Sequence, residues 1–414
     1  MGMGGCKRQN IAIVGGSVAG TMAGILLSRA GHDVAIYERS QTGLTGRGGG
    51  VTTSRTVLEQ MKAADILDAD FPSAPYAELQ LSKITDDTRR FGHSPLRLPL
   101  DMRCVHWSGM WENMRKRIPD SLYHNGMQVT AAEHHGDGAR LTFSDQTTRD
   151  ADLVLFADGY NSLGRRIMFP DAALVYRGYT VWRGVVPERD IEPSAQLRIH
   201  PRFSLKQKAG SFISYLIPNR AGSVEPGDRL FNWACYFPLA ADELSEFMYD
   251  RHGAPRVGSI PAGYMREEQD SALKAMIRDN LPDYYADVVS RSTDNQIQQI
   301  YTCDIPAYAV GRLCLMGDAG AMVPPLTGAG VFKGFTNARD LTAALERDLS
   351  LADALRDWSD RQTQVANSML AMGHDMEDAF IWNTIDLATE SPEACAAWFK
   401  KSVKIAREFS YFAT

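Results

Sequence analysis

Several broad classes of protein are excluded by what this chain lacks. Its six cysteines, Cys6, Cys104, Cys235, Cys303, Cys314 and Cys395, are scattered, and no CxxC pair occurs. Neither a zinc site nor a disulfide framework is indicated, and isolated thiols fit a reducing compartment. No histidine–glutamate cluster has metal-ligand spacing, so no metal is expected. No run of 18 apolar residues is present, and no membrane span is expected. There is no basic excess: the net charge is -6 over 414 residues, which argues against a nucleic-acid surface. Internal repeats, low-complexity tracts and long linkers are also missing. The opening MGMGGCKRQN has no apolar core of the signal-peptide kind, and Cys6 stands where a myristoylation pattern requires Ser or Thr. The expectation is a soluble cytoplasmic protein. With 44% hydrophobic and 23% charged residues, the chain can form two domains or one elaborate one.

What the chain does have is a succession of strand and helix patterns. Ile11–Val14 reads as a buried strand and Ala19–Ala30 as a helix with apolar residues at helical spacing, ended by Gly31. Asp33–Arg39 is a second apolar strand, completing a β-α-β unit, the Rossmann opening. A glycine-rich loop follows over 40–50, then a helix over about Thr52–Leu67. AELQLSKI alternates like a sheet strand, Trp107–Arg117 reads as a helix, and a hairpin leads to a buried strand at Leu153–Ala157. After about Arg177 the texture becomes alternating and aromatic-rich, which predicts an antiparallel sheet of about five to seven strands to roughly Phe237. Helical patterns occupy Ala241–Tyr249, Ser271–Asn280 and most of 351–414. The fold class is therefore α/β: a Rossmann-like, glutathione-reductase-type nucleotide domain with an inserted antiparallel substrate domain and C-terminal helices. The expected boundaries give the nucleotide domain 1–71, 101–176 and 304–350, the substrate domain 72–100 and 177–303, and the helical region 351–414.

IAIVGGSVAG places a glycine-dense turn directly after the first strand. In a GxGxxG turn the unpaired N–H groups of a helix N-terminus meet a phosphate. Gly15 makes the tight bend, Gly20 permits helix–sheet packing, and Ser17 replaces the middle glycine with a small residue whose hydroxyl can donate. Alone the motif is weak. Glu38 strengthens it, because it ends the second strand eighteen residues after Gly20, where an acidic side chain holds ribose hydroxyls. Glutamate followed by Arg39 favours an unphosphorylated ribose, as in FAD or NAD. Two further acidic-glycine turns follow buried strands, ADGYNSLGRR from Ala157 and GDAGAMVPPLTGAG from Gly317. An NAD-only site has no use for them, whereas FAD also has a ribityl chain and an isoalloxazine ring to be held.

These three motifs, in this order, resemble the class A flavoprotein monooxygenases, the para-hydroxybenzoate hydroxylase-like family, over essentially the whole chain to about residue 345. The dinucleotide turn matches Gly15, Gly16, Ser17, Val18, Ala19 and Gly20. The Asp-Gly motif matches Asp158 and Gly159 with Ser162 and Arg165. The Gly-Asp motif matches Gly317 and Asp318, followed by Pro324, Pro325 and Gly328, Ala329, Gly330 and Val331. GGSxxG, YTVWRGV and GVFKGFTNARDL look most like the 2,6-dihydroxypyridine 3-hydroxylase branch. The resemblance implies that Asp318 binds the ribityl hydroxyls, that Asp158 serves both FAD and NAD(P)H, and that the helix after Gly328 points its N-terminus at the flavin's pyrimidine edge. It also implies that Pro325 borders the substrate face of the ring. Two departures stand out. Trp107, ahead of Met110 and Met114, occupies the place of a flavin-contacting arginine, for which Arg103 is the candidate substitute. The usual Gly-Gln-Gly-x-Asn reads Gly-Ala-Gly-Val-Phe, and Lys333 follows.

The implied reaction uses FAD, NAD(P)H and O2. A flavin C4a-hydroperoxide hydroxylates an electron-rich small aromatic such as a phenol or hydroxypyridine. The substrate-activating group is sought on the antiparallel sheet among Trp182, Arg183, Phe212, Tyr215, Trp233 and Tyr236. Tyr215, with its hydroxyl, is the first choice. Pro325 and His106 are named beside it as candidate catalytic residues, and His252 lies in a loop. MLAMGHDMEDAFIW reads as core packing, with a dimer face or an active-site lid as the alternative, so a homodimer is among the expected assemblies. The competing readings are a flavoenzyme of the same fold with another outcome (oxidative decarboxylation, N-hydroxylation, epoxidation, reduction) and a non-catalytic FAD-binding partner protein. No W-x-W-x-I-P segment supports a flavin halogenase.

Overall fold

A computed structural model describes residues 8–46, 48–84, 88–192, 200–205, 209–385 and 390–402. Cys6 and most of the opening decapeptide lie outside them. The five described cysteines are all buried free thiols. No helix among the described residues is long and apolar enough to cross a membrane.

Two sheets organise the molecule. The first is mainly parallel, in the order Ala309–Val310, Leu313–Leu315, Leu153–Phe156, Asn10–Val14, Asp33–Glu38, Tyr123–Asn125. Its central strands are apolar on both faces, as a doubly covered parallel sheet demands. The helix Val18–Arg29 packs on it so closely that a Cβ on Gly24 would stand 2.6 Å from Ile36 Cδ1. Helix Gly330–Leu345 lies against the same helix, and Leu351–Glu377 packs beyond it.

The second sheet has nine strands, in the order Ser259–Ile260, Thr293–Thr302, Val175–Pro187, Leu230–Pro238, Ser211–Ile217, Pro201–Ser204, Ala74–Lys83, His93–His106, Gly50–Ser54. It is antiparallel except where Pro201–Ser204 runs parallel to Ala74–Lys83. It is larger than the five to seven strands expected, because long-range partners join it from both ends. One of these is a correction. Thr52–Ser54, read as the start of a helix, belongs to the edge strand Gly50–Ser54, paired with Met102–His106. The run Val51-Thr52-Thr53 is β-branched and suits a strand. The helix begins only at Arg55, where Ser54 Oγ accepts from Val57 N at 3.2 Å. The predicted helix at Ala241–Tyr249 shrinks to Leu244–Phe247.

Period-two alternation divides the large sheet's faces. Trp182, Phe212, Trp233 and Cys235 pack on one face with Leu273, Ile277, Tyr284 and Tyr285 from the covering helices. Tyr179, Val181, Ile213, Tyr215, Ala234 and Tyr236 occupy the other, together with Met372, Met376, Phe380 and Ile381 from MLAMGHDMEDAFIW. That segment is core, and Glu377 within it is clamped by Arg177 Nη2 at 2.8 Å and by the Tyr179 hydroxyl at 2.8 Å.

Candidate functional site

A continuous cavity of about 1050 Å³ runs from the parallel sheet's glycine turns to the inner face of the large sheet. All three acidic-glycine turns reach it. Gly15, at φ +100, bends the chain where a Cβ would stand 2.5 Å from Ala157 O. Ser17, Val18 and Ala19 then bring the start of helix Val18–Arg29 to the cavity, with no side-chain cap on that helix. Gly16 and Gly20 do not line it. Gly16 O accepts from Trp111 Nε1 at 2.8 Å and from the Tyr123 hydroxyl at 2.9 Å. Gly20 is a packing glycine, since a Cβ there would lie 1.9 Å from Gly15 O. Glu38 is buried at the cavity wall, its carboxylate accepting from Gly16 N and Ser40 N, each at 2.9 Å. Arg39 lies at the exposed rim.

In the second turn Asp158 and Gly159 line the cavity. Asp158 Oδ2 accepts from Leu163 N at 2.7 Å, while Oδ1 is buried with no partner. Burial raises this carboxyl's pKa above the ordinary value. Arg165, expected at the cofactor, is not among the lining residues. It is a buried brace whose guanidinium donates to Asp318 O at 3.1 Å, Ala319 O at 3.0 Å and Tyr160 O, tying the second turn to the third. In the third turn Gly317, Asp318, Pro325, Gly328, Ala329, Gly330 and Val331 all line the cavity. Gly328 is left-handed, at φ +62, and the helix that follows opens without a side-chain cap. Lys333, 1% exposed, reaches back to bond Asp318 Oδ1 at 2.7 Å and Ala321 O.

Sheet alternation decides the substrate-side candidates. Arg183, Tyr215 and Tyr236 face the cavity, whereas Trp182, Phe212 and Trp233 point to the opposite face. The Tyr215 hydroxyl donates to Gly50 O at 3.2 Å, and burial raises its pKa, so it keeps its proton. His106 does not reach the cavity. It sits where the strand turns into helix Trp107–Arg115, buried, its Nδ1 without a partner. Burial and, less strongly, Arg220 push its pKa down. Trp107, the next residue, lines the cavity instead, and Arg103 does not. His252 is exposed beside Tyr264.

Sequence reasoning missed Tyr76, Arg202 and Met376, which also line the cavity. Arg202 comes from a four-residue strand, and its inward direction is set only by pairing with Ser211–Ile213 and Gln80–Ser82. A lone arginine in an alternating segment carries no local sign of this.

Comparison with known proteins gives a consistent result. A family model described as "FAD binding domain" matches residues 8–170, and another described as "FAD binding domain-like" matches 176–302. The chain is 26% identical over 366 residues to the 2,6-dihydroxypyridine 3-monooxygenase of Paenarthrobacter nicotinovorans, covering 87% of this chain and 89% of that protein. It is 26% identical over 347 residues to the 3-amino-4-hydroxybenzoate 2-monooxygenase of Streptomyces cremeus, covering 81% and 78%. The solved structure of 2,6-dihydroxypyridine-3-hydroxylase from Arthrobacter nicotinovorans superposes with a TM-score of 0.83 at 22% identity, covering 93% of this chain and 96% of that one, and so shares the fold.

Proposed function

The chain belongs to the FAD-dependent aromatic monooxygenases, and from that premise we propose that it hydroxylates an electron-rich phenol- or hydroxypyridine-like molecule at the expense of NAD(P)H and O2. The observation that carries this reading is the single cavity shared by three glycine turns and a donor-rich sheet face.

The residues present fit an FAD. Two uncapped helix N-termini open on the cavity, a Cβ on Gly330 would meet nothing, and Asp158 Oδ1 is an orphaned buried acceptor. In this reading the turn at Gly15–Ala19 takes the pyrophosphate and Glu38 the adenosine ribose. Asp318 takes the ribityl hydroxyls, and the helix start at Ala329–Val331 faces the negatively charged edge of the ring. Bound FAD supplies the activation of O2 with electrons taken from NAD(P)H. Other groups prepare the site. Lys333 neutralises and orients Asp318. Arg165 holds two turns in register through their carbonyls. Tyr215, protonated and already donating to Gly50 O, offers its oxygen lone pairs to a substrate hydroxyl. The buried aromatic and aliphatic walls keep water from the reacting atoms. Pro325 borders the same space.

The test has three readouts: visible flavin absorbance on the purified protein, oxidation of NADH and of NADPH across a panel of phenols and hydroxypyridines, and product mass. Bound flavin, substrate-stimulated oxidation of the coenzyme and a product heavier by one oxygen atom are expected. A flavin-free protein overturns the reading. Bound flavin without stimulated oxidation indicates a catalytically silent FAD carrier, and oxidation without oxygen transfer indicates a different outcome on the same fold.

A further inference from the structure

Strand Thr293–Thr302 carries four amide side chains, and the sheet sorts them. Asn295 turns to the covering helices, where its Nδ2 donates to Asp270 Oδ1 and its Oδ1 accepts from Ser292 Oγ, each at 2.6 Å. Gln299 Oε1 accepts from Gly258 N at 2.7 Å and from the Tyr301 hydroxyl at 3.0 Å. Gln296 and Gln298 flank the outward-facing Ile297 and line the cavity instead. Among the described residues neither of these two carboxamides has a hydrogen-bond partner. Neither is sealed off: Gln296 is half-buried, Gln298 is exposed, and no amide atom of either is a fully buried orphan.

Gln296 is the inner of the two. It stands opposite Arg183 in the sheet register, and a Cβ on Gly49 would lie 3.9 Å from its Nε2. A Cβ on Gly50, the next residue, would lie 2.9 Å from Tyr215 Cε2, so the amide shares its corner of the cavity with that tyrosine. A carboxamide is neutral, with one donor edge and one acceptor edge. It pairs best with a group that presents the reverse pair on neighbouring atoms. The N–H and C=O of a cyclic amide do so. A phenolic oxygen meets only one edge at a time, and a carboxylate sets its second acceptor against the amide carbonyl. When a ligand displaces water from this corner, whichever edge is left unpaired counts against it.

We infer that Gln296 is a specificity-determining residue that reads the cyclic amide of a hydroxylated nitrogen heterocycle, bound in its pyridone form. The inference rests on the monooxygenase reading for the electron-rich ring, and it narrows the substrate class from phenols in general to lactam-bearing rings. Nothing in the inference asks Gln296 to move a proton.

Calorimetric titration of the FAD-loaded protein at neutral pH uses three probes of similar shape: 3-hydroxy-2-pyridone, its N-methyl derivative and catechol. The pyridone is expected to bind about 10-fold or more tightly than either of the others, the scale of one unmet hydrogen bond in a desolvated site. Gln296→Leu is expected to retain FAD and bring the three affinities together. Gln296→Glu presents two acceptors, and is expected to transfer the preference to 2-amino-3-hydroxypyridine, which offers two donors when its ring nitrogen is protonated. Equal affinity of the parent for the pyridone and its N-methyl derivative, no binding of the pyridone, or a preference that survives in both variants overturns the assignment to Gln296. Failure of the parent to take up FAD overturns the monooxygenase reading instead, and the same titration on the FAD-free protein then still reads the lactam preference.

Discussion

The two ends of the cavity are built on opposite plans. At the nucleotide end the acidic side chains are already engaged by the protein: Glu38 by two backbone N–H groups, Asp318 by Lys333, and Asp158 by Leu163 N through one of its oxygens. Shape there comes from main chain bent at glycines. At the substrate end shape comes from side chains projected by a sheet, and their donors are left open. The first end is preorganised for one invariant ligand, whereas the second is completed only by its guest.

Four measurements press on this contrast, in decreasing order of expected effect. Asp318→Ala removes the proposed ribityl partner and strands the buried Lys333 ammonium. FAD affinity is expected to fall about 10- to 100-fold or more, read from flavin retained on purification. A variant as yellow as the parent removes Asp318 from the site. Adding Lys333→Met to that variant relieves the stranded charge and restores thermal stability but not flavin.

Glu38→Ala leaves Gly16 N and Ser40 N without their acceptor, and about 1–3 kcal/mol of stability is expected to go with it. The fold persists and FAD binds roughly 10-fold more weakly. Unchanged FAD affinity would reduce Glu38 to a loop tie.

A pH scan probes the substrate end. His200 packs edge-on to Tyr76 at 5.4 Å, and burial pushes its pKa down to about 4 from an ordinary 6.5. The unfolded chain therefore takes up this proton first as pH falls through about 6.5, while the folded protein resists until about 4. Stability is full above that window and declines through it. His200→Phe is expected to flatten this part of the stability profile, and an unaltered profile would show that the half-buried His200 is not held neutral by the fold.

The smallest effect is on the far face of the large sheet. Trp233→Phe gives up the bond from Nε1 to Ser292 Oγ, 3.2 Å long, at about 1 kcal/mol. Ligand affinity is expected to stay unchanged, because Trp233 faces the covering helices. A change in ligand affinity would mean that the two faces are not insulated.

The same contrast explains how far the sequence could be read. Gly15, Glu38, Asp158 and Asp318 each sit at a fixed offset from a buried strand, so a local pattern reports their position. The substrate wall obeys no local rule. Tyr215 was preferred to Phe212 only for its hydroxyl, and which of the strand's two alternating faces turns inward is decided by the pairing of Ser211–Ile217 with its neighbours. Arg202 went unnoticed for that reason. His106 was nominated for its chemistry, but the chain buries it at a strand-to-helix corner. Thr52–Ser54 was misread because its strand partner lies some fifty residues away. Arg165 was expected at the ligand because it belongs to a recognised motif, yet its guanidinium is spent on carbonyls.

Gly50 follows the dinucleotide unit closely in the chain, yet it is gripped from the substrate sheet: its N–H donates to Asn232 Oδ1 at 2.9 Å and its carbonyl accepts from Tyr215. A Cβ there would lie 2.7 Å from Asn232 Cγ, so the seam tolerates no larger residue. The cavity wall between its two ends is thus a common seam, stitched from segments some 180 residues apart. Cutting the gene between them would leave each half with an unfinished side of one cavity, and any swap of one half for a relative's must carry its matching seam.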